Sequence, residues 1–167
     1  MEEAKELGLP QTKKRAILRE YLQTIILNSI YRSKSAKSMF FVGDTALRFF
    51  YNLPRFSEDL DFNTPFIEEN NFKRILEHVE RDLSLEGFTP RVSYKTRYSL
   101  YIASLNFPGL MREYGIINGR GGDVMIKIEV NRPEWHLSTM SCSCSERNSP
   151  LIERCFMPII SEKNQRN

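Results

Sequence analysis

Long apolar runs and cysteine are both scarce in this sequence of 167 residues. No apolar run approaches the roughly 18 residues that a membrane-spanning helix needs, which argues against a transmembrane protein. The first residues, MEEAKELG, are acidic and polar and lack the apolar segment of a secretory signal peptide. Three cysteines without such a signal are typical of reduced thiols in a cytosolic protein. We therefore expect a cytoplasmic location and no membrane partner.

A strong excess of charge of one sign is also missing. Lys and Arg total 24 against 21 Asp and Glu, which gives a net charge of +3. So mild an excess permits a nucleic acid or a nucleotide as partner without arguing for either. The hydrophobic content of 41% and the charged content of 27% are ordinary for a globular protein. The length predicts a single domain over residues 1–167.

The cysteines raise one alternative, a zinc site. His136, Cys142, Cys144 and Cys155 supply four candidate ligands. However, one residue separates Cys142 from Cys144, whereas a zinc knuckle has two between its cysteines. The surrounding stretch, SCSCSERNS, has the composition of a loop. We favour free thiols over zinc and expect residues 136–167 to be an irregular tail or the start of a missing helical region.

The spacing of apolar residues predicts alternating helices and strands. Apolar residues that recur every three to four positions predict helices, and short apolar or alternating runs bounded by Gly or Pro predict strands. Helices are expected at 13–32, 45–51 and 67–85, and strands at 39–42, 59–63, 88–95, 98–107 and 124–130. The segment GLMREYGIINGRGGD before the last strand is expected to be a turn. This order predicts an α/β or α+β domain with a mixed β-sheet flanked by helices.

Two of the predicted strands carry acids on one face only. Side chains alternate across a strand, so in DLDFN the residues Asp59 and Asp61 point away from the apolar ones. In VMIKIEVN, Lys127 and Glu129 share a face opposite the apolar positions. If the two strands are neighbours in one sheet, Asp59, Asp61 and Glu129 converge.

Converging carboxylates repel one another unless a cation neutralises them. Oxygen ligands of this kind suit Mg²⁺ or Mn²⁺, which bind one or two carboxylates together with substrate phosphates. Two such ions stabilise the attacking and leaving oxygens of an in-line phosphoryl displacement. The simpler alternative is that the acids lie on the exposed face of an edge strand, where charge prevents aggregation.

Gly43 stands between the strand predicted at 39–42 and the helix predicted at 45–51. A glycine in this position lets the backbone approach a ligand closely and leaves the first N–H groups of the helix free for phosphate. The acids follow about fifteen residues later, so a nucleotide could bridge the helix start and a metal ion bound by the acids.

These pieces together resemble a known family. The stretch FFVGDTALRFFYNLPRFSEDLDF resembles the G-G-T-A-L…R-F-S-x-D-L-D-F signature of the AbiEii/AbiGii toxin family, within the DNA polymerase β-like nucleotidyltransferase superfamily. VMIKIEVN is similar to the family's later Lys-x-acid strand. The resemblance covers about residues 13–135 and implies a nucleotidyltransferase-like fold.

The resemblance also implies roles for particular residues. It implies transfer of a nucleotide from an NTP to an acceptor such as tRNA, with Mg²⁺ or Mn²⁺ as cofactor, in a toxin–antitoxin system of the abortive-infection type with a cognate antitoxin as partner. The implied catalytic and metal-binding residues are Asp59, Asp61 and Glu129. The implied nucleotide-binding residues are Gly43, Thr45, Arg55, Ser57 and Lys127.

Three departures from the family pattern bear on activity. Asp44 replaces the family's second glycine, and we expect its carboxylate to cap the helix that starts at Thr45 in the place of a phosphate. Val42 stands where many members have lysine. The family's C-terminal helical region is expected to be truncated or absent.

Alternatives to an active enzyme therefore stay open. One is a catalytically silent or truncated family member that acts as a binding or regulatory module. Another is a nucleic-acid-binding domain without catalysis, which we rank last because Lys and Arg are scattered along the chain apart from Lys13–Arg15. Arg55 could instead pair with Glu58 or Asp59, and Lys127 could be a solvated strand lysine.

Overall fold

The computed structural model describes residues 11–132, and every helix and strand expected within that range is present. In chain order these are α1 (Gln11–Arg32), a 3₁₀ turn (Lys34–Ala36), β1 (Phe40–Val42), α2 (Gly43–Tyr51), β2 (Asp59–Asn63), α3 (Glu69–Leu85), β3 (Arg91–Arg97), β4 (Leu100–Phe107), α4 (Leu110–Glu113) and β5 (Val124–Asn131). The short helix α4 lies in the segment that the sequence predicted as a turn. The mixed α/β architecture is confirmed.

The five strands form one sheet in the order β1-β2-β5-β4-β3. β2 and β5 pair in parallel, whereas β1 with β2, β5 with β4, and β4 with β3 pair antiparallel. A parallel pair cannot be joined by a tight turn, so the chain between β2 and β5 passes through α3 and the β3–β4 hairpin. β5, last in the described chain, therefore lies in the centre of the sheet.

The two faces of the sheet differ sharply in burial. Along β2, β4 and β5 every second residue is buried, and the residues between them are half-buried or exposed. Helices α1 and α3 pack on the buried face, where the ring of Tyr31 lies 6.3 Å from that of Phe62 and the ring of Phe72 lies 5.3 Å from that of Tyr101. We call the other face, which carries Asp59, Asp61 and Glu129, the open face.

Helix α1 forms because a single stripe of apolar residues meets the sheet. Leu18, Leu22, Ile26 and Ile30 recur every four residues and are fully buried. Tyr21 lies at the edge of this stripe, where it is 45% exposed and its ring lies 6.2 Å from that of Phe88. The hydrophobic effect of this stripe holds α1 against the sheet.

Helix α3 ends as the sequence predicted. Gly87 has a φ of +86°, which residues with a Cβ rarely adopt. Its N–H donates to the carbonyl of Ser84, and the N–H of Phe88 donates to the carbonyl of Leu83. These bonds satisfy carbonyls at the end of the helix and turn the chain towards β3.

Some expectations lie outside the described residues. The four candidate zinc ligands, the tail 136–167 and the end of the predicted core at residue 135 are among them. Among the helices of residues 11–132, none combines the length and the hydropathy needed to cross a bilayer.

Candidate functional site

The pairing of β2 with β5 brings the predicted acids together. Asp61 is the register partner of Glu129, and Asp59 is the partner of Lys127. Because neighbouring strands lie about 4.8 Å apart and paired residues share a face, these four side chains form one cluster. The convergence of the acids was expected only if the two strands are neighbours, and β2 and β5 are neighbours in the sheet. β2 is also an inner strand, so the edge-strand explanation for its acids is wrong.

Lys127 lies between two of the carboxylates. Its Nζ is 3.0 Å from Oδ2 of Asp59 and 3.0 Å from Oε1 of Glu129. These bonds, first to Asp59 and then to Glu129, raise the pKa of Lys127 above its ordinary value. Lys127 is therefore not a solvated lysine, because its ammonium supplies the counter-charge that the two acids need.

Asp61 has no such partner among the described residues. Its pKa is raised first by desolvation, then by the charge of Asp59 and then by that of Glu129, while Lys127 lowers it only partly. Its charge is therefore the least compensated in the cluster. A carboxylate in this situation gains most from an added cation.

Gly43 allows α2 to begin directly against Asp61. Its φ is +79°, a conformation that favours glycine. A Cβ at this position would lie 2.5 Å from Oδ2 of Asp61, far inside van der Waals contact. The first turn of α2 thus meets the acidic cluster because residue 43 has no side chain. The close approach expected of the backbone at Gly43 is present, but the group that it approaches is the Asp61 carboxylate of the protein itself.

The expected capping role of Asp44 is wrong. α2 begins at Gly43, its N-cap residue is Val42, and no side chain caps it. Because α2 begins at Gly43, two residues earlier than predicted, Asp44 lies inside the first turn. There Oδ2 of Asp44 lies 3.4 Å from NH1 of Arg55.

Arg55 therefore pairs with Asp44, and not with Glu58 or Asp59 as the structural alternative supposed. Its side chain is 82% exposed, so the pair adds little to stability. Glu58 is bound instead by Arg19 of α1. Arg55 and Asp44 both face solvent at the rim of the glycine turn.

Thr45 and Ser57 have structural contacts of their own. The hydroxyl of buried Thr45 donates to the backbone carbonyl of Asp59 and so ties α2 to β2. The backbone carbonyl of Ser57 accepts a hydrogen bond of 3.1 Å from Nε2 of Gln23. Both residues lie beside the acids, their predicted role in nucleotide binding stays a prediction, and the Thr45 hydroxyl is already engaged.

Sequence reasoning missed three residues that hold the loop 52–58. Arg19 and Gln23 are buried polar residues of α1 that bind Glu58 and the Ser57 carbonyl. Arg48 of α2 donates to the carbonyl of Leu53, and its guanidinium lies 3.9 Å from the ring centre of Phe56. Polar residues four apart beside the apolar stripe of α1 are the signal that could have revealed the first two.

The residue types in this cluster, though not their present arrangement, suit a hard divalent cation. Asp59, Asp61 and Glu129 offer carboxylate oxygens on one face, which is the ligand type that Mg²⁺ and Mn²⁺ prefer. Within residues 11–132, no three acidic, His or Cys side chains are already arranged as a metal-binding group. The ammonium of Lys127 stands between two of the acids, and Asp61 keeps an uncompensated charge.

Comparison with known proteins bears on this site. The family model described as "Nucleotidyl transferase AbiEii toxin, Type IV TA system" matches residues 25–145, which include β2, β5 and Gly43. The resemblance seen in the sequence is thereby confirmed. No protein of curated function matches the sequence.

Two solved structures are similar in fold. They are a candidate nucleotidyltransferase from H. pylori and JHP933 from Helicobacter pylori, each with a TM-score of 0.49 and 20% identity over 74% of this chain. The matches cover 48% and 46% of those proteins, so this chain spans about half their length. Likeness at this distance carries no argument about function.

The clash at residue 43 leads to a stability prediction. Gly43→Ala should lower the free energy of unfolding by more than the about 1–2 kcal/mol that a left-handed conformation costs a residue with a Cβ, because the methyl group also displaces Asp61. Gly87→Ala is the matched control, since Gly87 has a similar φ and nothing within 4 Å of its Cβ position. Urea denaturation measures both, and equal losses would contradict the prediction.

The raised pKa of Asp61 predicts a pH dependence. The folded state binds the proton of Asp61 more tightly than the unfolded state, so this group's contribution to stability is lost as pH rises above 3.8 through the folded pKa. In EDTA at pH 7, Asp61→Asn should therefore be more stable than wild type in thermal denaturation.

Asp123→Asn is a control of opposite sign for that experiment. The pKa of Asp123 is lowered, chiefly by the hydrogen bond from the N–H of Gly109, so its charged form stabilises the fold above the unfolded pKa. Asp123→Asn should be less stable than wild type at pH 7. A destabilised Asp61→Asn variant would refute the repulsion described for Asp61.

Proposed function

From its membership of the AbiEii nucleotidyl transferase toxin family, to which this chain belongs, we propose that the protein transfers a nucleotide from an NTP to an acceptor, as the toxin of a type IV toxin–antitoxin system. The observation that carries the proposal is the register of β2 with β5. It places Asp61 beside Glu129, and Asp59 beside Lys127, in front of the glycine turn at residue 43.

Asp59, Asp61 and Glu129 are the residues that would hold Mg²⁺ or Mn²⁺. Bound there, the ions would neutralise phosphate charge and stabilise the attacking and leaving oxygens of an in-line displacement. The raised pKa of Asp61 supports this assignment, because a pair of acids with one shared ammonium leaves the third without a counter-charge.

Lys127 holds the acids in place and provides charge for the nucleotide. In the free protein its ammonium bridges Asp59 and Glu129. When these carboxylates bind other cations, the ammonium becomes available to a phosphate oxygen, for which lysine acts as a point charge. The same residue then serves two states of the site.

The start of α2 is the proposed phosphate site. Gly43 brings the start of α2 against the acid cluster, and the first N–H groups of α2, including that of Thr45, favour an anion. Arg55 and Ser57 lie on the adjoining loop, and the exposed guanidinium of Arg55 is accessible to a phosphate group of a nucleotide. Arg55 would exchange its weak pair with Asp44 for a charge-assisted bond to phosphate.

The remaining parts of the proposal follow from the family. The acceptor is an RNA such as tRNA, the nucleotide donor is an NTP, and the partner is a cognate antitoxin. The site of action is the cytoplasm, where NTPs and tRNA are present.

A second candidate is a catalytically silent family member that acts as a binding module. The observation that favours it is Asp44, which places a negative charge in the first turn of α2 and engages Arg55. Both effects oppose a triphosphate at this site. The two candidates differ in whether the unmodified protein binds NTP productively.

The leading proposal is tested by labelling RNA. Wild-type protein with Mg²⁺ or Mn²⁺, each labelled NTP in turn and total tRNA should transfer label to the RNA. Asp61→Asn and Glu129→Gln should each lower the transfer at least about 100-fold, because each removes several kcal/mol of transition-state stabilisation. Met125→Gln is the control, since Met125 is exposed on the same face of β5 and belongs to neither ligand set.

A binding measurement accompanies this assay. Mg²⁺ with NTP should raise the thermal midpoint of wild type and of Met125→Gln, but not of Asp61→Asn. If no RNA is labelled and wild type shows no such rise, the enzymatic proposal is wrong.

The second candidate is tested by removing the charge of Asp44. If Asp44 excludes the triphosphate, Asp44→Asn should bind NTP about fivefold more tightly, since one unit charge at contact distance in water is worth about 1 kcal/mol. Glu113→Gln, which removes an exposed acid on α4, should leave the affinity unchanged. Isothermal titration measures all three proteins, and an unchanged affinity for Asp44→Asn would eliminate the inhibitory role of Asp44.

A further inference from the structure

The open face of the sheet carries a row of cations at the edge opposite the β1 edge. On edge strand β3, Arg91, Lys95 and Arg97 are register partners of Asn106, Ile102 and Leu100 of β4. The same β4 residues pair with Met125, Glu129 and Asn131 of β5. Because register partners share a face, the three cations lie on the face that carries the carboxylates.

These cations are available to a ligand. All three are exposed, and in residues 11–132 neither Lys95 nor Arg97 takes part in an ion pair. Arg91 is partly engaged, because its charge, after the hydrogen bond from Gly109, helps to lower the pKa of Asp123. Lys95 and Arg97 are thus the uncompensated pair.

The distance from this row to the acids is short. Asp61, Glu129, Ile102 and Lys95 are successive register partners across β2, β5, β4 and β3. With about 4.8 Å between strands, the Cα of Lys95 lies about 10 Å from that of Glu129 and about 14 Å from that of Asp61. The β4 residues in between, Leu100, Ile102, Ser104 and Asn106, are uncharged.

An exposed aromatic ring stands at the end of the row. Tyr98 follows Arg97 in the β3–β4 turn and is 99% exposed. Its φ is +47°, which is strained for a tyrosine, and the guanidinium of Arg132 donates a 2.9 Å hydrogen bond to its carbonyl. The turn therefore holds the Tyr98 ring in solvent, and no packing of this ring against residues 11–132 offsets the strain energy of its backbone conformation.

We propose that Arg91, Lys95, Arg97 and Tyr98, here called the basic rim, bind the backbone and one base of a single-stranded polynucleotide whose end reaches the acids of β2 and β5. The inference rests on the proposed function for what happens at the acids, and it adds the surface that selects the acceptor.

Two features favour a polynucleotide over an acidic peptide. Lys95 and Arg97, two residues apart on a strand, are about 6.5–7 Å apart, comparable to successive phosphates along an extended nucleic-acid strand. Tyr98 offers a face for base stacking, which tolerates any base.

Anisotropy of a labelled single-stranded RNA of about ten nucleotides tests the binding, in EDTA and without NTP. Lys95→Gln with Arg97→Gln should weaken binding at least tenfold. It should also reduce the magnitude of the slope of log K against log salt by about 1.4, since each phosphate contact on a single strand contributes about 0.7. Tyr98→Ala should weaken binding at least about fivefold without changing the slope.

The matched control is Lys13→Gln with Arg15→Gln. It removes two exposed cations from α1, on the other side of the sheet, and these belong to the one basic cluster visible in the sequence. RNA affinity and salt slope should stay within about twofold of wild type, because these cations contact no phosphate. Circular dichroism and the thermal midpoint establish that each variant is folded.

The inference is overturned if the rim variant binds RNA as tightly as wild type, or if the α1 control loses as much RNA affinity as the rim variant. It is also overturned if polyglutamate displaces labelled RNA as effectively as unlabelled RNA does. RNA binding and the transfer of label to RNA are measured in separate assays. Rim-dependent binding without label transfer would refute the proposed activity alone, whereas transfer that is insensitive to the rim variant would refute this inference alone.

Discussion

The parallel pairing of β2 with β5 is the constraint on which the site depends. It joins two segments that are separated by sixty residues, and its register decides that Asp61 meets Glu129 and Asp59 meets Lys127. A shift by one residue would turn every polar side chain of β5 towards the helices, because side chains alternate along a strand. Burial of Leu60, Phe62, Ile128 and Val130 on the opposite face prevents that shift. The hydrophobic core therefore sets the geometry of the acids.

This geometry has an electrostatic consequence. Three carboxylates and one ammonium share a small area, and the ammonium compensates two of them. The third, Asp61, is held against the start of α2 by Gly43 and has a raised pKa. Like charges confined in this way destabilise the fold, and clustered carboxylates of this kind are typical of a site that binds cations. The cluster, the glycine turn and the uncharged row of β4 form one continuous surface.

Much of this arrangement could be predicted from the sequence, because it depends on local patterns. The alternation in DLDFN and VMIKIEVN identified the polar face, and Gly43 marked the close approach of α2. Two errors came from contacts that local patterns do not encode. Asp44 was expected to cap α2, but the helix begins one residue before it, at Gly43, and its N-cap residue is Val42. The alternative that Arg55 pairs with Glu58 is wrong, because Arg19 of a distant helix binds Glu58.

The sequence by itself determined the helices, the strands and the identity of their polar faces, since each follows from spacing within a few residues of chain. Only the tertiary structure decided which strands are neighbours, that Lys127 neutralises two of the acids, and that Arg91, Lys95 and Arg97 lie on the face of the acids. Those facts depend on the order of the strands in the sheet and on the register between each pair of neighbours. Such register is set by burial summed over the whole core, and no short segment of sequence records it.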